Sequence, residues 1–164
     1  ISVIRATGPG VFAGGPSVAV GRDPLRPAVG DVDGDGAVEI VVALAKDETL
    51  AVLDAVSGTP TPRASVALGF RPSAVGLADL DGDGREEAVV VAGDAVRVVA
   101  DDGNGGLVVV DVVPAGRGAA GLLVADVDDD GRLEVIISIG DVVKARVGQL
   151  EAENNQLHDY IQAR

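Results

Sequence analysis

The chain has 164 residues, enough for one domain, and its 13 basic against 26 acidic residues leave a formal charge of −13. Such a surface repels phosphate, which excludes nucleic acid and disfavours an anionic membrane surface; no apolar run approaches the roughly 18 residues of a membrane span. Cysteine is absent, which excludes disulfides, thiolate nucleophiles and cysteine-based zinc sites, and with Phe12, Phe70 and Tyr160 as the whole aromatic complement the core must come from Val, Ala, Leu and Ile.

The chain opens on Ile1 with no leader-like segment, which reads as a processed or excised product. Residues 1–21 read as two strands joined at Gly8-Pro9-Gly10, a hairpin turn rather than a phosphate loop, because no helix pattern follows it. A short apolar stretch, 28–29, then precedes an acidic loop beginning at Asp31, and a β-branched run follows at 38–44. Two more strands, 49–55 and 64–68, flank a turn segment at 56–63 that carries Gly58, Pro60 and Pro62. The pattern then repeats: 74–77, an acidic loop from Asp79, and strands at 88–92, 95–100 and 107–113, the last two around an Asn104-Gly105 hairpin signal. It begins a third time with 122–125, a loop from Asp126 and a strand at 133–139. The leading aspartates stand 48 and 47 residues apart, and each loop reads D-x-D-x-D-G-x-x-E. Four short strands per roughly 47 residues predicts propeller blades.

At these residues the chain resembles the FG-GAP/VCBS repeat family, the calcium-binding blades of integrin α-subunit propellers and of many bacterial surface proteins. The resemblance runs from Ile1 to about Ile139 and rests on the three acidic loops and on ISVIRATGPGVF, which ends in Phe12. It implies a β-propeller with calcium between the first two strands of each blade, on an extracellular or cell-surface protein, and it implies no enzymatic activity. Asp129 in the third loop, where the others have Gly34 and Gly82, is a departure.

The loop chemistry leads to calcium independently. A hard cation of this size takes six to eight oxygens, and alternate carboxylates with glycine at the sixth position let a short loop wrap around it. The first three ligand positions are Asp31, Asp33 and Asp35, then Asp79, Asp81 and Asp83, then Asp126, Asp128 and Asp130. Ala37, Arg85 and Arg132 offer backbone carbonyls, and Glu39, Glu87 and Glu134 close the loops. Magnesium, which keeps several waters and wants octahedral geometry, fits less well. EF-hand and dockerin loops need flanking helices, whereas strands flank these. Ordinary acidic turns would explain one copy better than three in register. The twelve loop carboxylates repel one another, which raises their pKa values without a cation, and three Ca²⁺ would carry the formal charge from −13 to −7. The only histidine, His158, lies in the tail, so no nucleophile–base pair is expected.

From Val143 the period changes. Val147, Asn154 and Ile161 occupy a positions and Leu150 and Leu157 d positions, and a lone a-position Asn specifies a parallel two-stranded coil. Gly148 weakens such a helix by about 1 kcal/mol, and an amphipathic helix packed on the blades is the other reading. The chain thus divides into a propeller domain, 1–142, and a helix, 143–164. The expectation is an all-β fold of about three four-stranded antiparallel blades per chain, the terminal blade split, plus a C-terminal α-helix. Three blades cannot close a ring, so a homodimer or larger assembly is expected, joined through strand exchange rather than through the helix. The function expected is calcium-stabilised binding or assembly, with a protein or glycan as outside ligand. The alternative is an engineered or truncated piece of a secreted propeller protein, either carbohydrate-binding or the non-catalytic part of an enzyme.

Overall fold

Short β-branched runs bounded by glycine turns favour strands over helices, and the computed structural model, which describes residues 1–55, 58–125 and 133–139, contains strands and no helix among them. They are β1 (Ser2–Gly8), β2 (Val11–Ser17), β3 (Ala28–Gly30), β4 (Glu39–Leu44), β5 (Thr49–Asp54), β6 (Thr61–Ala67), β7 (Pro72–Ala78), β8 (Glu87–Ala92), β9 (Ala95–Asp101), β10 (Leu107–Pro114), β11 (Ala119–Ala125) and β12 (Glu134–Ile139). They form two four-stranded sheets, β3-β4-β5-β6 and β7-β8-β9-β10, and two isolated pairs, β1-β2 and β11-β12. All neighbours are antiparallel. The succession of two, four, four and two strands agrees with the sequence pattern. The tail from 143 to 164 and the loop residues Asp126, Asp128, Asp130 and Arg132 lie outside the described residues.

The repeat is visible in the pairing. Gly30 faces Glu39, Ala78 faces Glu87, and Ala125 faces Glu134, so each closing glutamate enters its sheet in one register. The second strands, EIVVAL and EAVVVA, are buried on both faces. Alternation along β4 explains why: Val41 and Ala43 pack with Val90 and Ala92 of β8, while Val42 and Leu44 pack with Leu53 against Ile1, Val18 and Val20 beside the N-terminal pair. On the far side of β8, Val89 and Val91 meet Leu122, Val124, Val135 and Ile137 of the C-terminal pair. The order of layers is therefore N-terminal pair, first sheet, second sheet, C-terminal pair. Small side chains suffice because each layer is filled from both sides.

Both boundaries of β6 differ from the sequence expectation. Residues 61–63 belong to β6 rather than to a turn, and Pro62 sits opposite Leu53. Proline is tolerated there because β6 is the edge strand, where a missing N–H interrupts no further ladder. Leu68 falls just past β6 yet is buried in the core between the sheets, so its hydrophobicity reports packing rather than strand length.

Candidate metal centres

Each acidic loop leaves the end of the first strand of a sheet and returns as the second. Inside it the carboxylates do the work of missing backbone partners. In the first loop Asp31 accepts from Gly34 N–H at 2.7 Å and Gly36 N–H at 2.9 Å, one bond to each oxygen. Asp33 accepts from Asp35 N–H at 3.0 Å, and Asp35 from Ala37 N–H at 2.7 Å. The second loop repeats this atom for atom: Asp79 accepts from Gly82 at 2.7 Å and Gly84 at 3.0 Å, Asp81 from Asp83 at 3.0 Å, and Asp83 from Arg85 at 2.8 Å. Gly36 and Gly84 hold φ of +84° and +90°, a conformation that costs an L side chain about 1–2 kcal/mol. That is the physical content of the glycine at position six.

The closing glutamates reach back under the loops. Glu39 accepts from Val32 N–H at 3.0 Å and Glu87 from Leu80 N–H at 2.8 Å. They are 1% and 8% exposed. Burial pushes both carboxyls above the ordinary carboxylate value, against the pull of those backbone N–H groups. The neighbouring loop aspartates push in the same direction, Asp33 and Asp35 on Glu39 and Asp81 and Asp83 on Glu87. Desolvation thus comes ahead of the like-charge repulsion that the sequence suggested as cause. Asp83 behaves oppositely: the Arg85 guanidinium beside it lowers its pKa.

Carboxylate oxygens of Asp31, Asp33 and Glu39 lie within 4.8 Å of one another, as do those of Asp79, Asp81 and Glu87. Oxygens sharing one calcium shell, at 2.3–2.6 Å from the ion, stand at most about 5 Å apart. All donors are hard oxygens, and the buried member of each trio would gain most from a cation. These residues fit a divalent metal. Asp35 and Asp83 stand outside the two trios, and Ala37 and Arg85 take part through the N–H bonds already given. Glu134 occupies the equivalent place at the start of β12.

The two loops meet. Asp31 carbonyl oxygen accepts from Glu86 N–H at 2.9 Å, and Asp31, Asp33, Asp35, Asp83 and Arg85 line one cleft between them. The residue that sequence reasoning missed is Arg63. From β6 its guanidinium pairs with Asp33 of the first loop and, at 2.9 Å, with Asp101 at the end of β9. Its side chain is 13% exposed and that of Asp101 5%. The signal in the sequence was an arginine beside a proline on an edge strand, which looked like part of a turn.

Residues 79–137 match the FG-GAP-like repeat family. The matched span runs from the second acidic loop through β8 to β11 and into β12, so the class defined by fold and site is an all-β protein of antiparallel four-stranded units, of which one stretch is similar to that repeat. No curated protein matches the chain.

Proposed function

We propose that this chain is a calcium-binding β-propeller repeat module that acts in binding or assembly and carries no catalytic activity of its own. The supporting observation is the repetition, atom for atom, of a three-carboxylate trio around a buried glutamate in two consecutive loops. A chance acidic turn has no reason to bury its last carboxylate. About three Ca²⁺ per chain are expected, one per loop, with dissociation constants of roughly 10⁻⁴–10⁻³ M, typical of extracellular modules. Such weak sites suit an extracellular or cell-surface setting. Calcium at tenfold its dissociation constant adds about 1.4 kcal/mol per site. Thermal unfolding of the full chain in millimolar calcium and in chelator tests the reading. A higher Tm in calcium is expected, and equal Tm values would overturn it.

The same module is proposed to close a ring with a second copy. On the C-terminal pair Leu122, Val124, Val135 and Ile137 face the second sheet, while Leu123 and its cross-strand neighbour Ile136 are 57% and 44% exposed on the opposite face. On the N-terminal pair Ile4 and Phe12 are exposed. Two chains would supply six units, with the β1-β2 pair of each completing the β11-β12 pair of the other. The solution mass should be that of a dimer or a multiple of it. Ile136→Lys should halve it while the circular dichroism of the β fold persists. A wild-type monomer, or a variant of unchanged mass, would overturn ring closure and leave calcium binding untouched.

A further inference from the structure

The two four-stranded sheets each carry one extra residue in the fourth strand, at the same place. In the first sheet Val52 pairs with Ala64 and Leu53 with Pro62, which leaves Arg63 as the bulged residue. In the second sheet Val98 pairs with Asp111 and Val99 with Val109, which leaves Val110. A bulge re-aims the side chain it carries. In the first sheet the re-aimed side chain is a cation turned on a metal-ligand trio. In the second it is an exposed valine.

Arg63 holds Asp33, a trio member, and Asp101, from the neighbouring sheet, in one grip. Both oxygens of Asp33 are thereby engaged, one by Asp35 N–H and the other by Arg63. Among the described residues its counterpart Asp81 makes only the turn bond with Asp83 N–H. Arg85 does pair with Asp83, but Asp83 stands outside its trio. Among the described residues, the first trio therefore has a guanidinium hydrogen-bonded to one of its members, whereas Arg85 bonds to Asp83 and acts on Asp81 of the second trio only through its field. Arg63 also has somewhere else to go: its Nε is buried without a hydrogen-bond partner and lies 3.9 Å from an Asp54 carboxylate oxygen.

Resting on the calcium reading above, we propose that Arg63 is a built-in counter-cation of the first loop, which competes with calcium for Asp33 and, when the loop is metal-free, clamps the first sheet to the second through Asp101. Like charges at a few ångströms in a partly buried setting repel strongly, so a divalent ion entering the trio must displace the guanidinium from Asp33. Asp54 and Asp101 are positioned to receive it. The first loop then binds calcium more weakly than the second, and sheet-to-sheet docking is tied to which cation the loop holds.

Calcium chloride titration of the ¹⁵N-labelled full chain, followed at the Gly36 and Gly84 amides, reads the two loops separately. In the wild type Gly84 should reach its midpoint at lower calcium than Gly36. Arg63→Gln should lower the Gly36 midpoint about tenfold and leave Gly84 unmoved, while the metal-free Tm falls. A residue that merely supports the fold would weaken calcium binding and stability together. Asp101→Asn, which leaves Arg63 with Asp33 as its near partner, should shift the Gly36 midpoint the other way. Should Arg63→Gln prove unfolded without calcium, the Asp101→Asn shift alone decides. Gly84 saturating while Gly36 keeps its wild-type midpoint in both variants would overturn the role of Arg63 and spare the calcium reading. Neither amide responding to calcium would overturn both.

Discussion

The first and second sheets agree in register, the bulge of the fourth strand included, and part in the side chains that the fourth strand carries. Glu39 and Glu87 face the last residues of β3 and β7, Val41 and Val89 face Val52 and Val98, and the two loops share every hydrogen bond from a backbone N–H to a loop carboxylate. At the outer edge β6 offers Pro62, Arg63 and Ser65, whereas β10 exposes Val108, Val110, Val112 and Val113. The difference follows from what each edge meets. β6 lies beside the end of β9, where Asp101 awaits a cation. β10 has no complete sheet beyond it among the described residues, only the two-stranded pair β11-β12. The inner strands of a repeat are fixed by packing on both faces, while the outer strand is free to be specialised by its neighbour.

The largest effect that separates the two sheets should come from removing the matched aspartates. Asp33→Ala leaves Arg63 largely buried with one near partner lost, and the metal-free protein should lose about 2 kcal/mol by chemical denaturation, less than a fully buried pair because Asp33 is partly exposed. Asp81→Ala strands no cation, so it should change metal-free stability by under about 0.5 kcal/mol and lower Tm only in calcium. Equal metal-free losses in the two variants would erase the asymmetry.

Most of this frame is legible in the sequence because it depends on local rules. D-x-D-x-D-G-x-x-E requires positive φ at the sixth position and supplies its own backbone acceptors, so the loop writes its geometry into consecutive residues. Strand existence was equally plain from the valine runs. What stayed hidden depends on pairing across the chain. Arg63 matters because a bulge turns it toward Asp33, 30 residues back, and Asp101, 38 residues on. Neither separation leaves a periodic trace, and the flanking prolines suggested a turn.

A smaller effect distinguishes charge from shape in the closing glutamates. Burial raises the folded-state pKa of Glu39 and Glu87 above the ordinary carboxylate value of 4.5. The ionised form is therefore penalised on folding, and without metal this contribution to stability is fully present below the unfolded pKa and lost as pH rises through the folded one. Glu39→Gln keeps an oxygen for Val32 N–H and removes the charge. Its metal-free Tm should exceed that of the wild type at neutral pH, with the gap closing as pH falls toward the ordinary carboxylate range. In calcium the order should invert, because the ion needs the ionised form. A gap that widens on acidification would show that repulsion from Asp33 and burial do not govern this carboxyl.

The smallest expected effect is the most direct test of why the sheets differ. Val110 occupies in β10 the bulge that Arg63 occupies in β6, and it is exposed. By the equivalence of the two bulges, Val110→Arg is expected to bring a guanidinium to Asp81 of the second trio. Among the described residues the graft lacks a counterpart of Asp101, because the C-terminal pair has there only a first and a second strand and no third from which that aspartate would come. With one partner and much solvent the new ion pair is worth little, roughly 0.2–1 kcal/mol. The Gly84 midpoint for calcium should therefore rise about threefold, with Gly36 unchanged. A tenfold rise would mean that the bulge alone aims the cation and that Asp101 is dispensable. No rise would mean that Asp101 does the aiming and that the bulge only makes room for it.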